Sequence, residues 1–94
     1  MTLTHAVVLI EAERSALPTL GATLAGIDGV AEAYSVTGEW DFVAIVRVPD
    51  HEQLAQVVTG QIGQLPGVVS TRTMVALAAF SRHDLERMFS IGGG

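Results

Sequence analysis

The chain has 94 residues, which is enough for one domain and too few for two. Apolar residues make up 49% of it and charged residues 16%, which excludes a disordered chain, since disorder needs few apolar residues and dense charge. The net charge of -5, with five scattered arginines against ten acids, argues against direct nucleic-acid binding, because a surface that tracks phosphates needs clustered positive charge.

Two absences narrow the class further. The sequence has no cysteine, so a disulfide framework, a thiolate metal site and a cysteine nucleophile are all excluded. Its first residues lack the basic stretch of a signal peptide, and the apolar run at residues 6–10 is too short to span a membrane. We therefore expect a cytoplasmic protein that does not contact a membrane.

The chain opens with a predicted strand and a predicted helix. Residues 4–12 contain an unbroken apolar run, which is typical of a buried strand. In residues 15–27 the apolar side chains recur at steps of three and four, which indicates a helix capped by Ser15. Pro18 is compatible with this helix because it falls in the first turn.

A hairpin follows the first helix. Residues 30–37 and residues 40–48 predict the second and third strands. Gly38 and Glu39 between them predict a tight two-residue turn.

The second half of the chain repeats the pattern of a helix followed by a strand. Asp50, with Gln53 three residues later, is a capping-box pattern that opens a second helix. The apolar stripe of this helix comprises Leu54, Val57, Val58, Ile62 and Leu65. Residues 68–80 predict a long fourth strand, Ser81 begins a short C-terminal helix, and residues 91–94 are expected to form a loose tail.

The predicted order is βαββαβ plus the short C-terminal helix. A weak internal repeat supports it, because residues 24–30 return as residues 62–68, each copy holding a helix end, a turn and a Gly-Val pair that opens a strand. Two such halves predict the ferredoxin-like α+β fold, an antiparallel four-stranded sheet with two helices on one face.

The strands also predict that the second face of the sheet is buried. A sheet with one face in water alternates apolar and polar residues, whereas residues 6–10, 42–46 and 74–80 are apolar at consecutive positions. The chain has no further helices to cover that face. We therefore expect a homodimer packed sheet on sheet, in line with a mean hydropathy of +0.44, which is high for so small a domain.

Residues suited to catalysis or metal binding are few. His5, His51 and His83 lie on different predicted elements and lack the convergent spacing of a metal site. The carboxylates are paired at Glu11 with Glu13 and at Glu39 with Asp41, but no activated nucleophile or oxyanion donor accompanies them. We therefore expect no catalytic residue, no bound metal and no cofactor.

Asp41 is the most informative polar residue, because it begins a strand that is otherwise apolar. A carboxylate there needs backbone N–H groups, an arginine or a cation such as an ammonium group, and the sequence leaves open whether the hairpin's own amides supply them. Thr71 and Thr73 place two hydroxyls on one face of the fourth strand. Arg72 points to the other face, where we interpret it as a surface ion-pair partner, and Trp40 is interpreted as a packing residue.

Three segments together resemble the effector-binding domain of the Lrp/AsnC family of feast/famine transcriptional regulators. They are residues 36–43, 47–50 and 62–68, and the resemblance extends over about residues 4–80. Members of the family normally carry a helix-turn-helix domain before this one. Because the chain begins at the first strand, residues 1–94 look like a stand-alone effector-binding domain without a DNA-binding domain.

The resemblance implies a dimer through the sheets, commonly assembled into octameric or decameric rings, with a free amino acid bound in clefts between subunits. The family's Gly-x-x-Asp turn matches Gly38 and Asp41, which would hold the amino end of the ligand. Thr71 and Thr73 match hydroxyls that would hold its carboxylate. Trp40 stands where the family usually has tyrosine, so we expect it to affect the size of the ligand.

The expected function is therefore an oligomeric amino-acid sensor in transcription regulation, acting through its own assembly or through partners such as full-length Lrp/AsnC regulators. The alternative is an enzyme, since dimeric ferredoxin-like barrels include cofactor-free and haem-dependent monooxygenases. Such an enzyme needs a pocket in each subunit, commonly lined by Asn, His or Trp, and this chain has no asparagine. A regulatory module of the ACT type shares the strand order but usually accompanies an enzyme. We expect a protein that is not an enzyme.

Overall fold

The computed structural model describes residues 3–80 and Arg82. Four strands and two helices follow in the predicted order: β1 (Thr4–Ala12), α1 (Leu17–Ala25), β2 (Val30–Ser35), β3 (Phe42–Val48), α2 (His51–Val58) and β4 (Val68–Val75). Short 3-10 turns at Arg14–Ala16 and Ile62–Gln64 precede α1 and β4.

The four strands form one antiparallel sheet in the order β2-β3-β1-β4. Both helices pack on the same face of this sheet, so the predicted ferredoxin-like fold is confirmed. The topology makes β1 and β3 the central strands and leaves β2 and β4 at the edges.

The hydrophobic core lies between the helices and the central strands. Alternate residues of β1 and β3 are buried there, as the two-residue period of a strand requires. They are Ala6, Val8 and Ile10 of β1 and Phe42, Ala44, Val46 and Val48 of β3. The side chains that cover them are Leu20, Leu24, Leu54, Val57 and Ile62.

The two helices begin differently. Asp50 caps α2 as predicted, because its Oδ1 accepts the N–H of Gln53 at 2.8 Å. The prediction that Ser15 caps the first helix is wrong, since α1 begins after Ala16 and no side chain caps it. Pro18, three residues after Ser15, has no N–H to donate, and the N–H of Leu17 already donates to the carbonyl of Arg14.

The fourth strand is shorter than predicted because its partner ends. The N–H of Ala76 donates to the carbonyl of His5 at 2.9 Å, and β1 starts only one residue before that, at Thr4. Residues 77–80 therefore continue past the sheet with Leu77 fully exposed. The predicted C-terminal helix, apart from Arg82, and residues 91–94 lie outside the described residues.

The internal repeat is visible in two equivalent turns. Gly29 and Gly67 occupy matching positions of the two copies, and both take a positive φ, 97° and 90°. At Gly29 the packing is also close, since a Cβ would lie 2.9 Å from Cγ1 of Val48 and from Cγ2 of Val57. This position therefore needs glycine both for its backbone conformation and for the core beneath it.

Alanine substitutions at Gly29 and Gly38 separate the backbone requirement from the packing requirement. Gly38 also has a positive φ, but no atom lies within 4 Å of an added Cβ there. Gly38→Ala should cost about 1–2 kcal/mol of unfolding free energy from backbone strain. Gly29→Ala should cost about 1–3 kcal/mol more, because the added methyl overpacks the core. Urea denaturation of both variants at one protein concentration measures the difference, and equal losses would show that the core accommodates the methyl group.

Candidate functional site

The connection between β2 and β3 is wider than the predicted two-residue turn. The N–H of Val36 donates to the carbonyl of Asp41 at 3.1 Å, which leaves residues 37–40 as the loop. Within it, Gly38 has a φ of 106° and faces open space. The backbone of the loop is therefore accessible at Gly38.

Asp41 ties this loop to the end of β1. Its Oδ2 accepts the N–H of Ala12 at 2.8 Å, and its own N–H donates to the carbonyl of Ile10 at 2.9 Å. The pairing of β1 with β4 shifts register between Glu11 and Ala12, so the carboxylate bonds an amide beside the irregularity. The acceptor role expected of Asp41 is thus directed at β1 and not at the hairpin's own amides.

Trp40 is half-buried, and its ring contacts the side chain of an arginine. The Cζ of Arg72 lies 5.8 Å from the centroid of the Trp40 ring, within the range of a cation–π contact. Among residues 3–80, no carboxylate lies within ion-pair distance of Arg72. For these residues, the prediction that Arg72 forms a surface ion pair is therefore wrong. Trp40 packs as expected, but its neighbour is a cation that the sequence pattern did not identify.

Thr71 and Thr73 lie on the face of the sheet that the helices cover. They pair in register with Ile10 and Val8, whose side chains are buried under the helices. Thr71 is half-buried and Thr73 is exposed, because β4 is an edge strand. Within one chain, Gly38, Trp40 and Asp41 therefore form one group at the loop, and the two threonines form another.

The sheet face opposite the helices, here called the open face, carries the apolar residues that alternate with the core. Its centre is made of half-buried side chains, and its edges are more exposed, with Tyr34 and Met74 each 49% exposed. The four central side chains are Val7 and Leu9 of β1 and Val43 and Ile45 of β3, which pair directly across the two strands. This continuous apolar row accounts for the consecutive apolar residues at 6–10 and 42–46. It does not account for those at 74–80, because β4 ends at Val75 and Leu77 and Phe80 are exposed beyond it.

A polar cluster borders the open face at β2, and the sequence analysis did not find it. The hydroxyl of Tyr34 donates to Oε2 of Glu32, and Oε1 of Glu32 lies 3.6 Å from Nη1 of Arg47. The hydrogen bond and the negative charge of Glu32 raise the pKa of Tyr34, while Arg47 opposes the shift. An alternation of exposed polar residues on an edge strand was the only available signal.

A cleft of about 300 Å³ lies at the opposite end of β3 from the loop. Its polar lining comes from the turn before β2, from β3 and from α2 with the residues that follow it. The polar residues are Asp28, Arg47, Gln53, Gln56 and Gln61. None of the predicted site residues lies in this cleft.

Residues 3–80 and Arg82 contain neither a membrane-spanning helix nor a cluster of metal ligands. In that part of the chain, no helix is long and apolar enough to cross a membrane. No three His, Asp or Glu side chains of the same residues converge as metal ligands would.

The Tyr34 cluster predicts a specific titration, since the chain has one tyrosine. Its pKa should lie above the ordinary value of about 10 and fall back toward it in Glu32→Gln, whereas Arg47→Gln should raise it further. The stabilisation linked to the neutral hydroxyl is present below the ordinary pKa and lost as the pH rises through the raised one. Ultraviolet absorbance of tyrosinate follows this titration, and an unchanged pKa in Glu32→Gln would contradict the assigned cause.

Comparison with known proteins identifies the family. A model of the Lrp/AsnC ligand binding domain matches residues 5–85. The HTH-type transcriptional regulator FL11 of Pyrococcus horikoshii is 31% identical over 72 residues, which are 77% of this chain and 47% of that protein. The uncharacterized HTH-type transcriptional regulator PH1916 of the same species is 38% identical over 53 residues, 56% of this chain and 35% of that protein. The chain thus spans less than half the length of these relatives.

Solved structures agree with this result. TTHA0845 from Thermus thermophilus is 44% identical, with a TM-score of 0.79 over 84% of this chain and 99% of that one. Escherichia coli AsnC is 25% identical, with a TM-score of 0.77 over 84% of this chain and 54% of that one. The Neisseria meningitidis regulator NMB0573, solved as a complex with L-Met, shares the fold at 16% identity and a TM-score of 0.75, over 84% of this chain and 53% of that one. The chain belongs to the Lrp/AsnC family of transcriptional regulators, and the part described here is its ligand-binding domain.

Proposed function

We propose that this chain is an oligomeric amino-acid sensor in transcription regulation. It binds a free amino acid where subunits meet, and it acts in the cytoplasm by changing its assembly or its association with other Lrp/AsnC regulators. The observation that carries the proposal is the apolar open face, with the loop of Gly38 and Asp41 at one end of it. In this proposal the chain binds its ligand without catalysing a reaction. The relatives support this part of the proposal, because they are transcriptional regulators.

The open face supports assembly through the sheets. Val7, Leu9, Val43 and Ile45 form an apolar row that the two helices cannot reach, because both helices lie on the other face. Burying such a row against a second copy removes apolar surface from water. Two sheets packed in this way form a layer of interdigitated side chains about 10 Å thick. We assign the homodimer to this face, and rings of dimers to further contacts.

A charge placed in the centre of the open face tests this assignment. Leu9→Glu should shift the dimer toward monomer at micromolar concentration, since a carboxylate without a partner is strongly destabilising when buried. Ala55→Glu adds the same charge at an exposed position of α2 and should leave the dimer intact. Sedimentation equilibrium measures both, with circular dichroism to verify folding, and a dimer of wild-type affinity in Leu9→Glu would exclude this face.

The ligand-binding residues are assigned to two subunits. Gly38, Trp40 and Asp41 form one group and Thr71 and Thr73 form another on the opposite side of the sheet, so a cleft that uses all five needs a neighbouring copy. Asp41 has one carboxylate oxygen on Ala12, and no donor among the described residues bonds the other. That oxygen is suited to an ammonium group. The complex of NMB0573 with L-Met lends support, because a structure of this fold was solved with an amino acid.

Native mass spectrometry with each of the twenty common L-amino acids tests the sensing proposal. We expect a dimer-based assembly that retains or gains the mass of one amino acid per site, or that changes its stoichiometry when the amino acid is added. Gly38→Ala in the loop and Gly26→Ala at the end of α1 form a matched pair, and only the first should weaken binding. An assembly that ignores every amino acid would refute sensing and leave the oligomer unaffected.

A further inference from the structure

Arg72 brings a positive charge to the loop end of the sheet. The residues assigned to the ligand's carboxylate, Thr71 and Thr73, are neutral, whereas a carboxylate is bound most strongly by a guanidinium group. Arg72 is exposed, and among residues 3–80 no carboxylate lies within ion-pair distance of it. In the part of the fold that the structure describes, its guanidinium group contacts the ring of Trp40 and has no carboxylate beside it.

The register of β4 places Arg72 on the same side of the sheet as Asp41. Arg72 pairs with Leu9, which lies between the buried residues Val8 and Ile10 and thus belongs to the open face. Asp41 immediately precedes the buried Phe42, so alternation along the strand directs it to the same side. Arg72 on β4 and Asp41 directly before β3 thus lie on the open face, with β1 between their strands.

The contact with Trp40 shows where the guanidinium group lies. Arg72 stands on an edge strand, and β3 is two strands away, about 10 Å at ordinary strand spacing. Its Cζ nevertheless lies 5.8 Å from the ring centroid of Trp40, which is the residue directly before Asp41. The side chains of Arg72 and Trp40 therefore bridge the distance between the two strands together, and the guanidinium group lies beside the indole ring.

Two opposite charges thus flank one short stretch of the sheet. One carboxylate oxygen of Asp41 is available for a cation, and the N–H groups of Arg72 are available for an anion. A free α-amino acid carries an ammonium group and a carboxylate on the same carbon atom. Its two charges match this pair in sign, whereas a simple amine or an amino-acid carboxamide has no negative charge to pair with Arg72.

We propose that Arg72 binds the α-carboxylate of the amino acid and that Trp40 is the positioning residue that holds the guanidinium group in place. This inference rests on the proposed function, since it concerns the same site. It assigns the ligand class as free α-amino acids with an unmodified carboxylate. Thr71 and Thr73 of the neighbouring copy then add neutral hydrogen bonds to a carboxylate whose charge Arg72 neutralises.

The test compares each of the twenty common L-amino acids with its own carboxamide by isothermal titration calorimetry. Wild-type protein should bind at least one free acid, and that acid at least tenfold more tightly than its amide. Arg72→Gln should lose this preference by weakening acid binding alone, and Arg72→Lys should retain part of it. Arg47→Gln removes the same charge from the far end of the open face and should keep the full preference.

Trp40→Leu tests the positioning role separately. It should lower the ratio of acid affinity to amide affinity, whereas a purely structural role for Trp40 would weaken acid and amide binding equally and leave that ratio unchanged. Circular dichroism verifies that each variant folds, and native mass spectrometry verifies that it assembles. Wild-type affinity for the acid in Arg72→Gln would overturn this inference and spare the proposed function. Wild-type protein that binds none of the free acids would overturn both.

Discussion

A sheet has two faces, and the two helices of this chain cover only one of them. The rest of the structure follows from that constraint. The central strands β1 and β3 place one set of alternate residues in the core and the other set, Val7, Leu9, Val43 and Ile45, on the open face. An apolar layer of this kind is stable when another layer covers it. The strands that form the core of the chain thus also carry the apolar face to which the proposed dimer is assigned.

The loop site depends on this sheet in a direct way. Asp41 bonds β1 twice, through its carboxylate to Ala12 and through its N–H to Ile10, so the loop is attached to a central strand and not only to the hairpin. Residues held in this way keep their position relative to the open face. In the proposed sensor, a ligand at the loop would contact the sheet that packs against the second copy, which would link binding to assembly.

Much of the fold was predictable because it depends on local patterns. The Asp50 cap and the repeated Gly-Val turns act over a few residues, and both were confirmed. The apolar stripe predicted for the second helix was wrong at its end, because α2 ends at Val58, and Ile62 and Leu65 lie beyond it. The end of β4 was not predictable, since it depends on where β1 ends. The contact between Trp40 and Arg72 joins residues 32 positions apart on two strands, and no spacing rule connects them. Asp41 lies on one face of the sheet and Thr71 and Thr73 lie on the other, and this separation likewise follows only from the strand register.

The double use of Asp41 limits how such a chain can evolve a new ligand preference. Losing its carboxylate would leave the N–H of Ala12 without an acceptor, at about 1–3 kcal/mol if that group stays buried, out of a total stability of about 5–15 kcal/mol for an ordinary domain. The side chains of Trp40 and Arg72 form no such bond to the described backbone, so they can change without that loss. Variation in specificity should therefore accumulate at Trp40, while Asp41 persists as the common element of the site.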